Sequence, residues 1–311
     1  MKVEGRRRSD NFEDRGSGRR RGGGGGAGAG LLQFVLRRFG LRGVIVAALG
    51  LLGVYFFAPE SLRRAVFSAV LGGPAPGAGS GGAAPPGDSA CGASTTNAAA
   101  CDFSRGVLAS TEDVWSARFA QGQLPSYSGA AVSSYLPPTL VVFSDAVSTG
   151  GCGDASSDTG PFYCPADRRL YIDPSFYDVM ARQLRAPGDF AQAYVLAHEV
   201  GHHVQNLIGA MSVAVPGETE PQTSVRVELQ ADCLAGVWGH SARGALEISD
   251  EDLAEATNAA HAIGDDTLGH RDEATFTHGS SEQRIRWFRR GFSSGDPRQC
   301  DTFAVRNHGQ L

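Results

Sequence analysis

The segment between residues 190 and 208 constrains this chain most. Ala193, Leu196, Ala197, Val200, Val204 and Leu207 recur at three- and four-residue intervals, which predicts a long amphipathic helix. Inside it lies His198-Glu199-Val200-Gly201-His202. Imidazoles four positions apart stack on one helical face, so both can reach one ion, and Glu199 projects beside them. This HExxH spacing has the mechanics of a zinc hydrolase: two nitrogen ligands and a carboxylate near enough to take a proton from water. Two surface histidines beside a solvated glutamate would be the bland alternative. The flanking Tyr194-Val195-Leu196-Ala197 argues against it, because unpaired imidazoles and a carboxylate are costly on an apolar, buried helix. Gly201 costs about 1 kcal/mol relative to Ala in a helix interior, which makes sense if something must approach the backbone there.

Two histidines leave a zinc site incomplete, so a third protein donor is needed, with one position left open for water. A second helical stretch, about 224–240, supplies Glu228-Leu229-Gln230-Ala231-Asp232-Cys233. Glu228 and Asp232 stand one turn apart on a face shared with Val225 and Ala235. The economical assignment makes Glu228 the third ligand and Asp232 an acceptor for a ligand-histidine N–H. Pairing of Glu228 with Arg226 or another arginine is the competing reading. His240, His261, His270 and His278 stay open as other third ligands. His203 points about a hundred degrees around the helix from His202 and reads as structural.

Pro137-Pro138 forbid helix ahead of residues 139–143, which read as a strand, and 162–164 and 169–172 read as two more. Further helices are expected over about 111–121, 174–185, 249–263 and 281–290. A few strands early and helices late, without alternation, predict an α+β fold.

The N-terminal part reads differently. Residues 1–42 carry eleven Lys and Arg against four Asp and Glu, a balance of +7, so the remainder stands at −12 within a net charge of −5. An acidic body offers phosphates nothing, so no nucleic-acid partner is expected. Residues 43–58 run without a charge, slightly short of the roughly 17–25 residues a spanning helix usually needs. Arg37, Arg38 and Arg42 can snorkel to lengthen the effective span. The expectation is a basic, mostly disordered cytoplasmic head over 1–42 and a single transmembrane helix over 43–58. A Gly/Ala/Pro-rich tether would follow over 59–100, then a folded extracytoplasmic domain over 101–311. A cleaved signal peptide and a buried core helix are the alternatives for 43–58.

Six cysteines stand at 91, 101, 152, 164, 233 and 300, none in a C-x-x-C pair. In a body outside the cytoplasm an even count suggests disulfides. Cys152 and Cys164 bracket a Gly/Ser/Asp-rich loop with little else to hold it, and are expected to pair. Spacing does not fix a partnership for Cys91 and Cys101, and reduced, buried cysteines remain the alternative.

With these residues in view the sequence resembles the neutral zinc metallopeptidases, membrane-anchored bacterial proteins of the zincin superfamily. The resemblance is carried by Glu4-Gly5-Arg6-Arg7, Ser9-Asp10-Asn11, Glu13-Asp14-Arg15 and Gly160-Pro161-Phe162-Tyr163-Cys164-Pro165-Ala166-Asp167. It continues through His198-Glu199-Val200-Gly201-His202-His203-Val204-Gln205, the Glu228–Cys233 run, Thr277-His278-Gly279-Ser280-Ser281-Glu282-Gln283-Arg284, Ser294-Gly295-Asp296-Pro297 and Cys300-Asp301. It covers nearly all of the chain outside 72–100. It implies a zincin-like metallopeptidase domain with a small sheet and an HExxH active-site helix, one Zn²⁺, and peptide-bond hydrolysis. It also implies Glu228 as the ligand of an E-x-x-x-D helix and a Cys233–Cys300 disulfide. Val3 departs from the pattern, where an aromatic residue is expected, and Cys91 and Cys101 fall in a variable region.

The sequence therefore predicts a membrane-tethered, zinc-dependent endopeptidase acting on a protein or peptide substrate. Glu199 would be general base toward a zinc-activated water, and His278, in a Gly/Ser-rich turn, would stabilise the oxyanion. The rivals are a non-catalytic, zinc-stabilised cell-envelope binding module and an amidase acting on peptidoglycan peptides. Oligomeric state leaves no signal in the sequence.

Overall fold

The computed structural model describes residues 1–17, 89–129 and 133–311. Along the chain, β1 (Phe12–Ser17) is followed by α1 (Thr95–Ala120), β2 (Thr139–Ser144), and a short hairpin of β3 (Ala146–Ser148) and β4 (Asp154–Ser156). Then come β5 (Phe162–Cys164) and β6 (Arg169–Ile172), and from there the chain is helical. The later helices are α2 (Phe176–Arg182), α3 (Asp189–Ile208), α4 (Glu220–Ala242), α5 (Asp250–Ala262) and α6 (Ser281–Ser294).

The main sheet has the order β1-β2-β6-β5. β1, β2 and β6 are parallel, and β5 adds to β6 as an antiparallel edge. The fold is α+β with a small sheet, consistent with a zincin-like domain. Helix α3 runs through the core: its apolar positions from Phe190 to Val204 are buried, and so are both motif histidines. At its Gly201 the backbone of α4 comes close, for a Cβ there would lie 2.9 Å from the Ala231 carbonyl oxygen and 3.1 Å from its Cα. Helix α4 opens earlier than the periodicity suggests. Thr219 accepts from the Gln222 amide in a reciprocal capping box, and Pro221 sits in the first turn.

Two stretches differ from expectation. Helix α1 begins at Thr95, capped by Ser94, inside what reads as tether. Its Ala98-Ala99-Ala100 run is low in complexity yet strongly helix-forming. Residues 1–17 are not a disordered head but part of the folded body. Phe12 and Asp14 pair with Leu140 and Val142. Val3 is buried against Gly106 of α1, and the carboxylate of Glu112 accepts from Arg7, Ser9 and Asn11. Side-chain bonds to a buried acid order a segment whose charge alone reads as solvated.

This packing corrects the membrane expectation. A single pass through 43–58 would put residues 1–17 and the body on opposite sides of a bilayer, whereas the structure holds them in one sheet. Among the described residues no helix is long and apolar enough to cross a membrane, and residues 43–58 lie outside the described residues. The N-terminal transmembrane anchor, the membrane as partner, and the cytoplasmic-head, extracytoplasmic-body topology are accordingly not retained.

Disulfides join Cys91 to Cys101, Cys152 to Cys164 and Cys233 to Cys300. The second ties the β3–β4 loop to the end of β5, and the third ties the middle of α4 to the chain after α6.

Candidate metal centre

The helical repeat sets His198 and His202 one turn apart, with ring centroids 4.7 Å from each other. Helix α4, held close at Gly201, brings Glu228 over both rings. His198 Nε2 lies 3.1 Å from one carboxylate oxygen and His202 Nε2 lies 3.4 Å from the other. Donor atoms of the three residues fall within 4.8 Å of one another. Tetrahedral ligands about 2.0–2.1 Å from a zinc ion stand roughly 3.3 Å apart, so the spacing fits that ion.

Hydrogen bonding around the rings sharpens the fit. Asp232 accepts from His198 Nδ1 at 2.8 Å, and Gln205 Oε1 faces His202 Nδ1 at 2.8 Å. With each ring's proton donated at Nδ1, each Nε2 presents a lone pair to a carboxylate. Acceptors that close need a cation between them, either a proton or a metal ion. A Zn²⁺ suits two imidazoles and one carboxylate at a buried site.

A model of the family described as "Putative neutral zinc metallopeptidase" matches residues 1–303. The chain belongs to this family. It is 49% identical over 216 residues to the uncharacterized protein YpfJ of Escherichia coli K12, covering 66% of this chain and 71% of that one. It is also 44% identical over 192 residues to the uncharacterized protein Rv2575 of Mycobacterium tuberculosis H37Rv, covering 56% of this chain and 65% of that one. No solved structure gives a significant match.

In this member of the family the site opens on a cavity of about 470 Å³. His198, Glu199, His202, Glu228, His278 and Arg284 contribute its polar wall. Phe162 and Tyr163 of the edge strand β5, with Val195, Met211, Val227 and Ile263, contribute apolar surface. Glu199 is 8% exposed, and its carboxylate makes no hydrogen bond among the described residues. Burial raises its pKa above the ordinary carboxylate value. Glu228 is pulled the other way: burial would raise it, but His202 and His198 outweigh burial and hold it well below the usual range. Burial disfavours the imidazolium of His198, yet Asp232 and Glu228 prevail and raise its pKa.

Asp232 is fully buried on the far side of His198 from Glu228. It also accepts from the Tyr194 hydroxyl at 2.6 Å and from the Arg284 guanidinium. His278 lines the cavity mouth with its side chain half exposed. The carboxylate of Asp265 accepts from the backbone amides of Thr277, His278 and Gly279 and lies 3.3 Å from His278 Nδ1. His203 turns away from the cavity and donates to the Leu136 carbonyl at 2.6 Å, and burial pushes its pKa down to about 4. His240 bonds the Phe292 carbonyl, and neither His261 nor His270 joins the three-donor group. A second acidic group, Asp189, Asp252 and Glu255, gathers at the start of α3.

The sequence reading missed Tyr194, Gln205, Arg284 and Asp265. Tyr194 and Gln205 sit one turn before His198 and three residues after His202, spacings that the helical repeat could have flagged. Arg284 and Asp265 reach the site through tertiary packing and left no local signal.

Proposed function

We propose that this chain is a zinc-dependent endopeptidase that hydrolyses peptide bonds in a protein or peptide substrate. His198, His202 and Glu228 would hold the ion, Asp232 would orient His198, and Glu199 would be the general base. A zinc ion there supplies Lewis acidity toward the scissile carbonyl and the attacking water. Glu199 takes the proton from that water and carries it to the leaving amine. A carboxylate whose pKa is raised by burial is a stronger base, which suits it to take that proton. His278, oriented by Asp265, donates toward the developing oxyanion at the cavity mouth. The edge strand β5, whose Phe162 and Tyr163 line the cavity, offers backbone groups along which an extended peptide can align.

The observation that carries this reading is Glu199. A buried carboxylate beside the donor set, facing the cavity and without a hydrogen-bond partner among the described residues, has no use in a purely structural zinc site. The test compares wild type with Glu199→Gln, both analysed for zinc and incubated with a mixed peptide library. Glu199→Gln should keep its metal and lose about 10²–10⁴-fold in turnover. Equal cleavage by both, or none by folded, zinc-loaded wild type, would refute the peptidase assignment.

A further inference from the structure

The two candidate ligand histidines are oriented by unlike partners. His198 has a carboxylate behind it, whereas His202 has the neutral amide of Gln205, which is fully buried. An amide presents an acceptor at one end and a donor at the other, so which end faces the ring decides where the ring's proton sits.

The surroundings of Gln205 decide it. Its other end lies 2.7 Å from the Val227 backbone carbonyl, which can only accept, so that end must be the NH2 group. The oxygen therefore faces His202, and His202 Nδ1 must donate. The same NH2 group donates to Gln230 Oε1 at 3.0 Å. Gln230, also buried, is fixed in turn by a backbone carbonyl, for its NH2 donates to Cys300 O at 3.0 Å as well as to the Tyr127 hydroxyl at 2.8 Å. Tyr127 donates onward to Asp301 at 2.9 Å. Two backbone carbonyls, one on α4 and one at a cysteine bonded to α4, thus set the sense of every bond in the chain.

We infer that Gln205 is the positioning residue for the second ligand histidine. Locked by Val227 O and by Gln230, it keeps the proton of His202 on Nδ1 and the lone pair of Nε2 toward Glu228. The Cys233–Cys300 disulfide anchors the outer end of this relay by fixing the Cys300 carbonyl against α4. The inference rests on His202 being a metal ligand, as proposed above. It adds that metal affinity is set partly by an amide that touches neither the ion nor the substrate.

The experiment uses the full chain, zinc, a competing chromophoric chelator and nitrogen-15 spectra of the histidine rings. In zinc-loaded wild type, His202 should show a slowly exchanging proton on Nδ1. Gln205→Leu should bind zinc about 10–100-fold more weakly and lose that protected proton, with the His198 signals unchanged. Gln230→Leu, which removes one of the two acceptors of the Gln205 NH2 and leaves Val227 O in place, should give a smaller loss in the same direction. A zinc-loaded wild type whose His202 is protonated on Nε2 would overturn the inference, whether or not either variant folds. So would a folded Gln205→Leu that binds zinc as tightly as wild type. Wild type that binds no zinc at all would instead remove the metal reading itself, and this inference with it.

Discussion

Arg284 of α6 grips Asp232 of α4 with two hydrogen bonds, Nε to Oδ2 at 2.9 Å and a terminal nitrogen to Oδ1 at 3.0 Å. Both side chains are fully buried. Asp232 thereby stays ionised despite its burial and keeps one oxygen aimed at His198. Removing the guanidinium strands a carboxylate in the core, a loss of about 3–5 kcal/mol when one partner of a buried pair is deleted. Arg284→Met should therefore lower the unfolding midpoint sharply and weaken zinc binding. Arg284→Lys should recover only part of either, because an ammonium cannot reproduce the planar two-bond contact. Urea melts and chelator competition on both variants test this. Unchanged zinc affinity in Arg284→Met would dissociate the pair from the metal site.

Glu228 is the residue on which the three-donor geometry turns. Glu228→Ala should strip or greatly weaken the metal, whereas His203→Ala, whose ring bonds Leu136 and Tyr163 instead, should leave it bound. Elemental analysis after gel filtration reads both. Equal metal in wild type and Glu228→Ala would move the third ligand elsewhere.

Helices α4 and α6 meet backbone to backbone. A Cβ added at Gly291 would fall inside contact distance of the Cys233 carbonyl oxygen, and one at Gly236 would meet Phe288 O. Neither obstacle is a side chain that can swing aside. Gly291→Ala should cost at least about 1–3 kcal/mol, the usual range for overpacking a core. The helix propensity of alanine would predict the opposite sign. A denaturant midpoint equal to or above that of wild type would contradict the close packing.

Acid should loosen the attachment of the C-terminal segment. Arg226 is fully buried, pairs with Glu218, and donates to the carbonyls of Thr302 and Val305. Its guanidinium holds the Glu218 carboxyl below the usual carboxylate range. A carboxylate with a depressed folded pKa stabilises the fold above its unfolded value, about 4.3, and loses that contribution as pH falls through the folded value. Stability measured from neutral pH down to about pH 3 should therefore decline in that window, and Glu218→Gln should flatten part of the decline while lowering stability at neutral pH. An identical acid profile in wild type and Glu218→Gln would show the pair to be inert.

The donor set was legible because it is local. His198 and His202 are fixed by helical periodicity, and Glu228 and Asp232 by a second helix with the same one-turn spacing. Strands with β-rich composition beside Pro137-Pro138 were readable for the same reason. What escaped was made by contacts distant in sequence. Strand β1 carries Glu13, Asp14 and Arg15, whose partners include Arg169, the Ala90 amide and the Ser148 carbonyl, all far along the chain. Arg284 looks like any arginine on an amphipathic helix until its packing against α4 is known. Ala98-Ala99-Ala100 shows the converse failure, since a run poor in information can still have strong propensity. Nothing in the apolar stretch at 43–58 signals that residues 12–17 and 139–144, on either side of it in sequence, pair in one sheet.

Pairing of Phe12 with Leu140 also orders events in time. Strand β1, made well before its partner, has nothing to pair with until the stretch around Leu140 has emerged. Parallel pairing across such a separation is slow to form, because a large loop must close before any contact rewards it. In the interval β2 presents an open edge, the kind of template that recruits other chains. A fragment cut to begin near Cys101 would keep that edge open permanently, and should self-associate more readily than the full chain.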